Sequence, residues 1–360
     1  MSNVTKISVD VMGGENAPFA PLAAIRELCG VSDSVYFYIC GDREVIAPYM
    51  EEHLVDQSLY EIVHSDDVVK EDEKPVTAFK TGKNTSMYQG IMLVKERKAD
   101  AFVSSGNTGA LMIMSKMILG CIDGIRRPAI IGTMPTIRGK SVMLDIGANS
   151  DCNETHLLQF TLMAICFSKI VLGKDNPSVA VLNIGSEKYK GRDLERRTAE
   201  LLQKSQVDFA GYIEANGILS GDVDVIVTDG FTGNIALKAI EGAVQTVITF
   251  LKNAAKRSIF SRVLLLLLSR VLKSSIAAIS PSKNNGAIFI GIDGIVVKSH
   301  GNSKDCGIRN AIELAHRLSV ENVNARIVKS LQLSEDGDND GLANNFIKKL
   351  KETSAKIFTT

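Results

Sequence analysis

Short apolar runs recur along the chain, each closed by a polar residue and a glycine turn and followed by a stretch of helical periodicity. Strand-type runs fall near residues 5–11, 35–40, 101–104, 129–133, 141–145, 179–184, 224–228 and 294–298. The segments 17–29, 84–97, 108–120, 154–172, 191–205, 233–256 and 305–330 carry amphipathic patterns long enough for helices. Such alternation predicts a mostly parallel, doubly wound α/β sheet. Four of the junctions look alike: AFVSSGNTGA at 101–110, VMLDIGAN at 142–149, VAVLNIGSE at 179–187 and DVIVTDGFTGN at 224–234. Each puts Asp, Asn, Ser or Thr at the carboxyl end of a predicted buried strand. In open α/β sheets that edge binds ligands. The free N–H groups at the next helix start favour an anion such as phosphate.

Composition adds limits. A chain of 360 residues supports a sizeable core, as one large α/β domain or two lobes. Lys plus Arg and Asp plus Glu both total 41, so nothing global calls for nucleic acid or another polyanion. The start, MSNVTKISVDVMGG, has no basic region followed by a long apolar one and predicts no secretory signal. The six cysteines form no C-x-x-C pair and read as reduced, mostly buried thiols. The five histidines have no metal-ligand spacing, so no metal is expected. No G-x-G-x-x-G, Walker A or G-x-S-x-G sequence is present, and no cofactor is expected. The charged stretch 70–84, with Pro75, predicts a surface loop.

The candidate chemistry lies at the strand ends. In DGFTGN, Asp229 closes an apolar run and is expected to have a partner. Gly230 and Gly233 let backbone approach a ligand, and Thr232 and Asn234 offer hydrogen bonds. A capped helix after a tight turn accounts for the same residues. In SSGNTGA, Asn107, Thr108 and Gly109 stand at another helix start able to cradle phosphate. Asp145 with Asn149, and Asn183 with Glu187, place more polar groups on what reads as the same edge. Lys190 is either an anion contact or a surface lysine. Lys298 and His300 follow the apolar strand of GIDGIVVKSHGNS. Lys298 can bind phosphate or pair with a carboxylate; His300 is a general acid or base, or a hydrogen-bonded structural residue. Cys152 has no histidine evidently poised to activate it. The pattern describes a cleft for an anionic small molecule that itself acts as nucleophile.

From Gly242 to Ile292 the chain has no acidic residue and seven basic ones, among them Arg262, Arg270 and Lys273. Leu264, Leu265, Leu266, Leu267 and Leu268 lie between them, too few to span a bilayer, which needs about 20 apolar residues. A buried or subunit-interface helix, an interfacial membrane contact and a contact to an acidic partner all fit the segment 252–283. Residues 1–333 read as the catalytic α/β unit and 334–360 as a polar tail.

In order and spacing, DVMGGENAP, SSGNTGALM, RRPAI, LDIGANSDC, LNIGSEKYKG, DGFTGNIALK and GIDGIVVKSHGNS resemble the PlsX-type phosphate acyltransferases, over roughly residues 5–330. The resemblance implies a three-layer α/β/α fold related to phosphotransacetylases and isopropylmalate-type dehydrogenases. It implies transfer of a fatty acyl group from acyl-[acyl-carrier protein] to inorganic phosphate, giving an acyl phosphate for phospholipid synthesis. It also implies a cytoplasmic homodimer peripherally attached to the inner face of the cell membrane, feeding a glycerol-3-phosphate acyltransferase. An acyl-CoA-dependent phosphotransacetylase is the alternative. The chain departs from the family pattern at Glu15, at Gly185-Ser186-Glu187 and at NNGAIFIG, residues 284–291.

Overall fold

The computed structural model describes residues 4–31, 34–205, 207–257 and 286–332. Its strands are β1 (Thr5–Asp10), β2 (Val35–Gly41), β3 (Tyr60–His64), β4 (Ala101–Ser104), β5 (Ala129–Thr136), β6 (Gly139–Leu144), β7 (Val179–Leu182), β8 (Phe209–Ile213), β9 (Val225–Val227), β10 (Ala287–Ile290) and β11 (Ile295–Lys298). The helices are α1 (Phe19–Cys29), α2 (Arg43–Glu52), α3 (Pro75–Thr81), α4 (Ser86–Lys95), α5 (Thr108–Leu119), α6 (Glu154–Leu172), α7 (Asp193–Gln203), α8 (Gly230–Arg257), α9 (Asp305–Val320) and α10 (Val323–Gln332). The strands form one sheet in the order β3-β2-β1-β4-β11-β10-β5-β6-β9-β7-β8. Apolar residues on both faces of β4, β6 and β9, and Ile7 and Val9 on one face of β1, pack under helices, which gives the three layers expected of buried, mostly parallel strands.

The sheet is doubly wound, with a division the strand pattern does not announce. β11 runs parallel to β4, but β10 is antiparallel to both β11 and β5, and β5 is antiparallel to β6. Following those directions, β6, β9, β7 and β8 run opposite to β1, β2, β3 and β4. The single carboxyl edge expected from the sequence is therefore two edges, belonging to half-sheets joined at the antiparallel β10–β5 seam.

Three other expectations need correction. The 70–84 stretch is not all loop: α3 occupies 75–81 with Pro75 in its first turn, where proline's missing N–H costs nothing. The 305–330 helix is two, parted at Asn322, whose φ of 49° is a left-handed value asparagine tolerates. Strands β3, β8 and β10 and helix α2 add to the predicted elements. Helix α6 is long and apolar enough to cross a membrane, yet most of it is buried in the core. The tail 334–360 and residues Arg262, Leu264 to Leu268, Arg270 and Lys273 lie outside the described residues.

Candidate active site

The motif loops interlock in two groups, one per half-sheet. The first joins 10–16, 104–107 and 298–303. Asp10 closes β1 with 2% of its surface exposed. Its carboxylate accepts from the Met12 and Gly13 amides at 3.1 Å and from the Ser86 and Ser104 hydroxyls at 2.7 Å. Burial pushes this carboxyl up, and those four donors oppose the shift. A side chain on Gly13 would meet the Gly106 amide at 2.8 Å, so the two turns are in direct contact. The Glu15 amide donates to Gly301 O at 2.8 Å, and Asn16 Nδ2 to Asn302 O at 3.0 Å. The DVMGGEN sequence thus braces the SHGNS loop.

Two residues of SSGNTGA prove to be supports. Asn107 Oδ1 caps α5 by accepting from the Ala110 amide at 3.0 Å, and its Nδ2 donates to Lys70, Glu71 and Glu73 carbonyls. These bonds tie the 70–73 loop over the helix start and commit the Asn107 amide that the sequence offered to phosphate. A side chain on Gly109 would come within 2.6 Å of Pro75 Cγ, so this glycine admits the α3 proline.

The second group joins 145–149, 183–192 and 229–234. Asp145 is fully buried and accepts from the Ile130, Gly147, Ala148 and Asn149 amides at 2.8–3.1 Å. Asn149 Nδ2 donates to Asp145 and to Pro128 O. Burial raises the Asp145 carboxyl against these donors. Asp229, 2% exposed, caps α8: it accepts the Thr232 amide at 2.8 Å and the Thr232 hydroxyl at 2.9 Å. Arg192 pairs with Asp229 and, through Nε at 3.0 Å, with Glu195. This arginine, absent from the sequence-based candidates, is the partner Asp229 needed; nothing local links residues 37 positions apart. A side chain at Gly233 would fall 1.9 Å from Asp145 O, and one at Gly230 2.7 Å from Asn149 backbone. Both glycines seat α8 on the LDIGAN loop. Asn183 Nδ2 braces the next loop through Gly185 O and Lys190 O, while Glu187 and Lys190 form an exposed ion pair at 2.8 Å.

Between the groups lies a cleft of about 280 Å³. Its walls include Thr108, Asn234, Lys238, Lys298 and His300, together with Ile130, Gly132, Met134, Ile146, Leu237 and Ala287. Helix α8 begins in the second group and carries Asn234, Lys238 and Glu241 toward the first on one helical face. Glu241 pairs with Lys238 at 2.8 Å and lies 3.8 Å from His300 Nε2. His300 therefore faces Glu241, while Asp229 faces Arg192. Burial lowers the imidazole, Glu241 opposes that shift, and Lys298 and Lys238 add to it. Lys298 Nζ donates to Ser105 O at 3.0 Å and to Ser299 O. Burial pulls its ammonium down to about 8; Glu71 and Asp10 support the charge, and Lys238 opposes it. Of the predicted site residues, Thr108, Asn234, Lys298 and His300 line the cleft, while Asn107, Gly109, Asp145, Asn149, Asp229, Gly230, Thr232 and Gly233 hold the loops around it. Lys238 and Glu241 stand one and two turns past Asn234, a helical spacing legible in the sequence. Cys152 is no nucleophile here, since burial and the nearby Asp145 and Asp229 push its thiol to about 12.

The cleft lining combines cationic and apolar side chains. It can hold an anion against a group with a hydrocarbon tail and stabilise a developing oxyanion. Comparison with known proteins gives the family. Residues 5–326 match a family model described as fatty acid synthesis protein. A phosphate acyltransferase of Wolbachia pipientis wMel is 41% identical over 340 residues, covering 92% of this chain and 98% of the relative. One of Erythrobacter litoralis is 41% identical over 333 residues, covering 91% and 94%. A solved phosphotransacetylase from Streptococcus pyogenes superposes with a TM-score of 0.60 at 15% identity, covering 88% of this chain and 94% of that one. At that identity the likeness concerns the fold.

Proposed function

The chain belongs to the phosphate acyltransferase family, and from that premise we propose that its cleft transfers a fatty acyl group from acyl-[acyl-carrier protein] to inorganic phosphate. The observation that carries this reading is the amphipathic cleft, lined by Lys298, Lys238 and His300 together with Ile130, Met134, Ile146 and Leu237. Lys298 and Lys238 hold hydrogen phosphate. A phosphate oxygen attacks the thioester carbonyl carbon, and the carbonyl π pair moves onto oxygen. Asn234 and the Thr108 hydroxyl are the donors within reach of that oxyanion. Collapse re-forms the carbonyl and expels the sulfur with the C–S bonding pair. The proton carried by hydrogen phosphate passes to the departing thiolate, so an acyl phosphate and a free thiol result. His300, its affinity for protons lowered by burial, is uncharged near neutral pH and suits a relay that takes the proton from phosphate and gives it to sulfur. Placing the reactants side by side supplies much of the acceleration.

On the same reading the enzyme is a cytoplasmic homodimer at the inner face of the membrane. The basic, leucine-rich segment meets the bilayer or the acidic carrier, and the product passes to a glycerol-3-phosphate acyltransferase. The test is thiol release from a long-chain acyl-[acyl-carrier protein], with and without phosphate. Phosphate-dependent release of thiol, with a hydroxylamine-trappable product, is expected. Equal release without phosphate would identify a hydrolase, and activity with acyl-CoA alone would assign the donor to coenzyme A.

A further inference from the structure

We infer that Gly132 is a specificity-determining residue, an opening in the cleft wall that sets the length and bulk of the acyl group admitted. The inference rests on the acyl-transfer reading above and deepens it.

Gly132 stands in the interior of β5, where glycine forfeits packing and chain entropy. Two usual reasons for such a residue are missing. The pairing of β5 with β6 is regular through Gly132, opposite Met143, so there is no bulge. Its backbone is not in the left-handed region that favours glycine. Close approach of another group remains. Alternation along the strand puts Ile130, Gly132 and Met134 on one face, and all three line the cleft. A Cβ at position 132 would stand 3.0 Å from Ile146 Cδ1, the only heavy atom within 4 Å among the described residues beyond its chain neighbours. Apart from that methyl, the space in front of Gly132 is open among the described residues. Ile146 is the floor beneath it, and Leu237 of α8 and Ala287 of β10 complete the apolar part of the lining. The slot is thus an apolar recess beside Lys298 and His300. An acyl chain whose carbonyl sits among those polar groups has its hydrocarbon directed along Ile130, Gly132 and Met134.

The test uses the full-length protein and a series of saturated acyl thioesters of increasing length, plus branched ones, read as phosphate-dependent thiol release. Gly132→Val should lower the ratio of kcat/KM for long donors to that for short donors by about tenfold or more, the discrimination a hydrophobic pocket gives a misfitting carbon group. Gly132→Ala should lower it less. Met134→Ala should move the profile the opposite way, toward bulkier donors, and carries the test if the valine variant does not fold. If Gly132 serves only to accommodate Ile146, its variants will depress all donors equally and Met134→Ala will leave the profile unchanged; either result overturns the inference. Wild-type protein without phosphate-dependent release would instead overturn the underlying acyl-transfer reading.

Discussion

Lys298 should be held at a cost to stability, and replacing it with methionine measures that cost. Its ammonium falls from 10.5 to about 8 on folding, chiefly through burial. At 1.36 kcal/mol per pKa unit, the folded protein bears about 3 kcal/mol for keeping this lysine charged. A lysine with a depressed folded pKa imposes the full cost below about pH 8, where it is protonated in both states. The cost is relieved as pH rises toward 10.5. Methionine retains most of the stem but cannot donate to Ser105 O and Ser299 O. Each lost bond costs about 1 kcal/mol, which leaves Lys298→Met about 1–2 kcal/mol more stable than wild type at pH 7. Denaturant unfolding of both proteins at pH 7 and pH 10.5 is the assay. The difference should favour the variant at pH 7 and move against it at pH 10.5, where wild type is relieved of the cost. Turnover of the variant should fall about a hundredfold or more, and wild-type turnover should decline above about pH 8. A stability difference identical at both pH values would show that no buried charge is carried at this site, and would refute the reasoning.

Asp229→Ala should destabilise the protein by about 1–3 kcal/mol, because it removes the cap of α8 and leaves Arg192 without one of its two carboxylates. Turnover should fall with it, since α8 carries Asn234 and Lys238 into the cleft; an unchanged melting curve would separate Asp229 from the frame. Asp10→Asn should shift the alkaline limb of the rate profile to lower pH, because one of the two carboxylates supporting the Lys298 charge is gone. An unmoved limb with reduced stability would confine Asp10 to packing.

The most legible strands were apolar on both faces. FVS of β4, VAVL of β7 and VIV of β9 present uninterrupted apolar runs that fit a parallel sheet covered by helices. The edge strands β3 and β8 read YEIVH and FAGYI, mix polar or small residues with apolar ones, and are only partly buried, so their signal is weak. Strand β10 is four residues inside NNGAIFIG and carries too little pattern to separate it from a turn. Capping explains much of the candidate list. Asx residues at strand ends, followed by glycine, satisfy a helix start as readily as they bind a ligand. Asn107 and Asp229 cap, and Asp145 gathers amides, so the residues that look most like catalysts by position are those that build the loops.

What local pattern cannot encode is which loops meet. Each strand–turn–helix junction reads the same whether its strand points up or down, so four similar junctions suggest one shared edge. The reversal at β10 and β5 depends on pairing between residues more than 100 positions apart, such as Ile288 with Ile131. That reversal has a chemical consequence. The half-sheet ending in Lys298 and His300 supplies cations and a titratable ring, and the opposed half-sheet supplies the rigid LDIGAN–DGFTGN platform. The cleft takes its lining from both. The seam strand β5 provides the recess, and α8, anchored on one group by Asp229, brings Asn234, Lys238 and Glu241 to the other. A change that frees the start of α8 should therefore disturb His300 and Lys298 without touching either, which is why the Asp229 variant belongs to the frame and to the reaction at once.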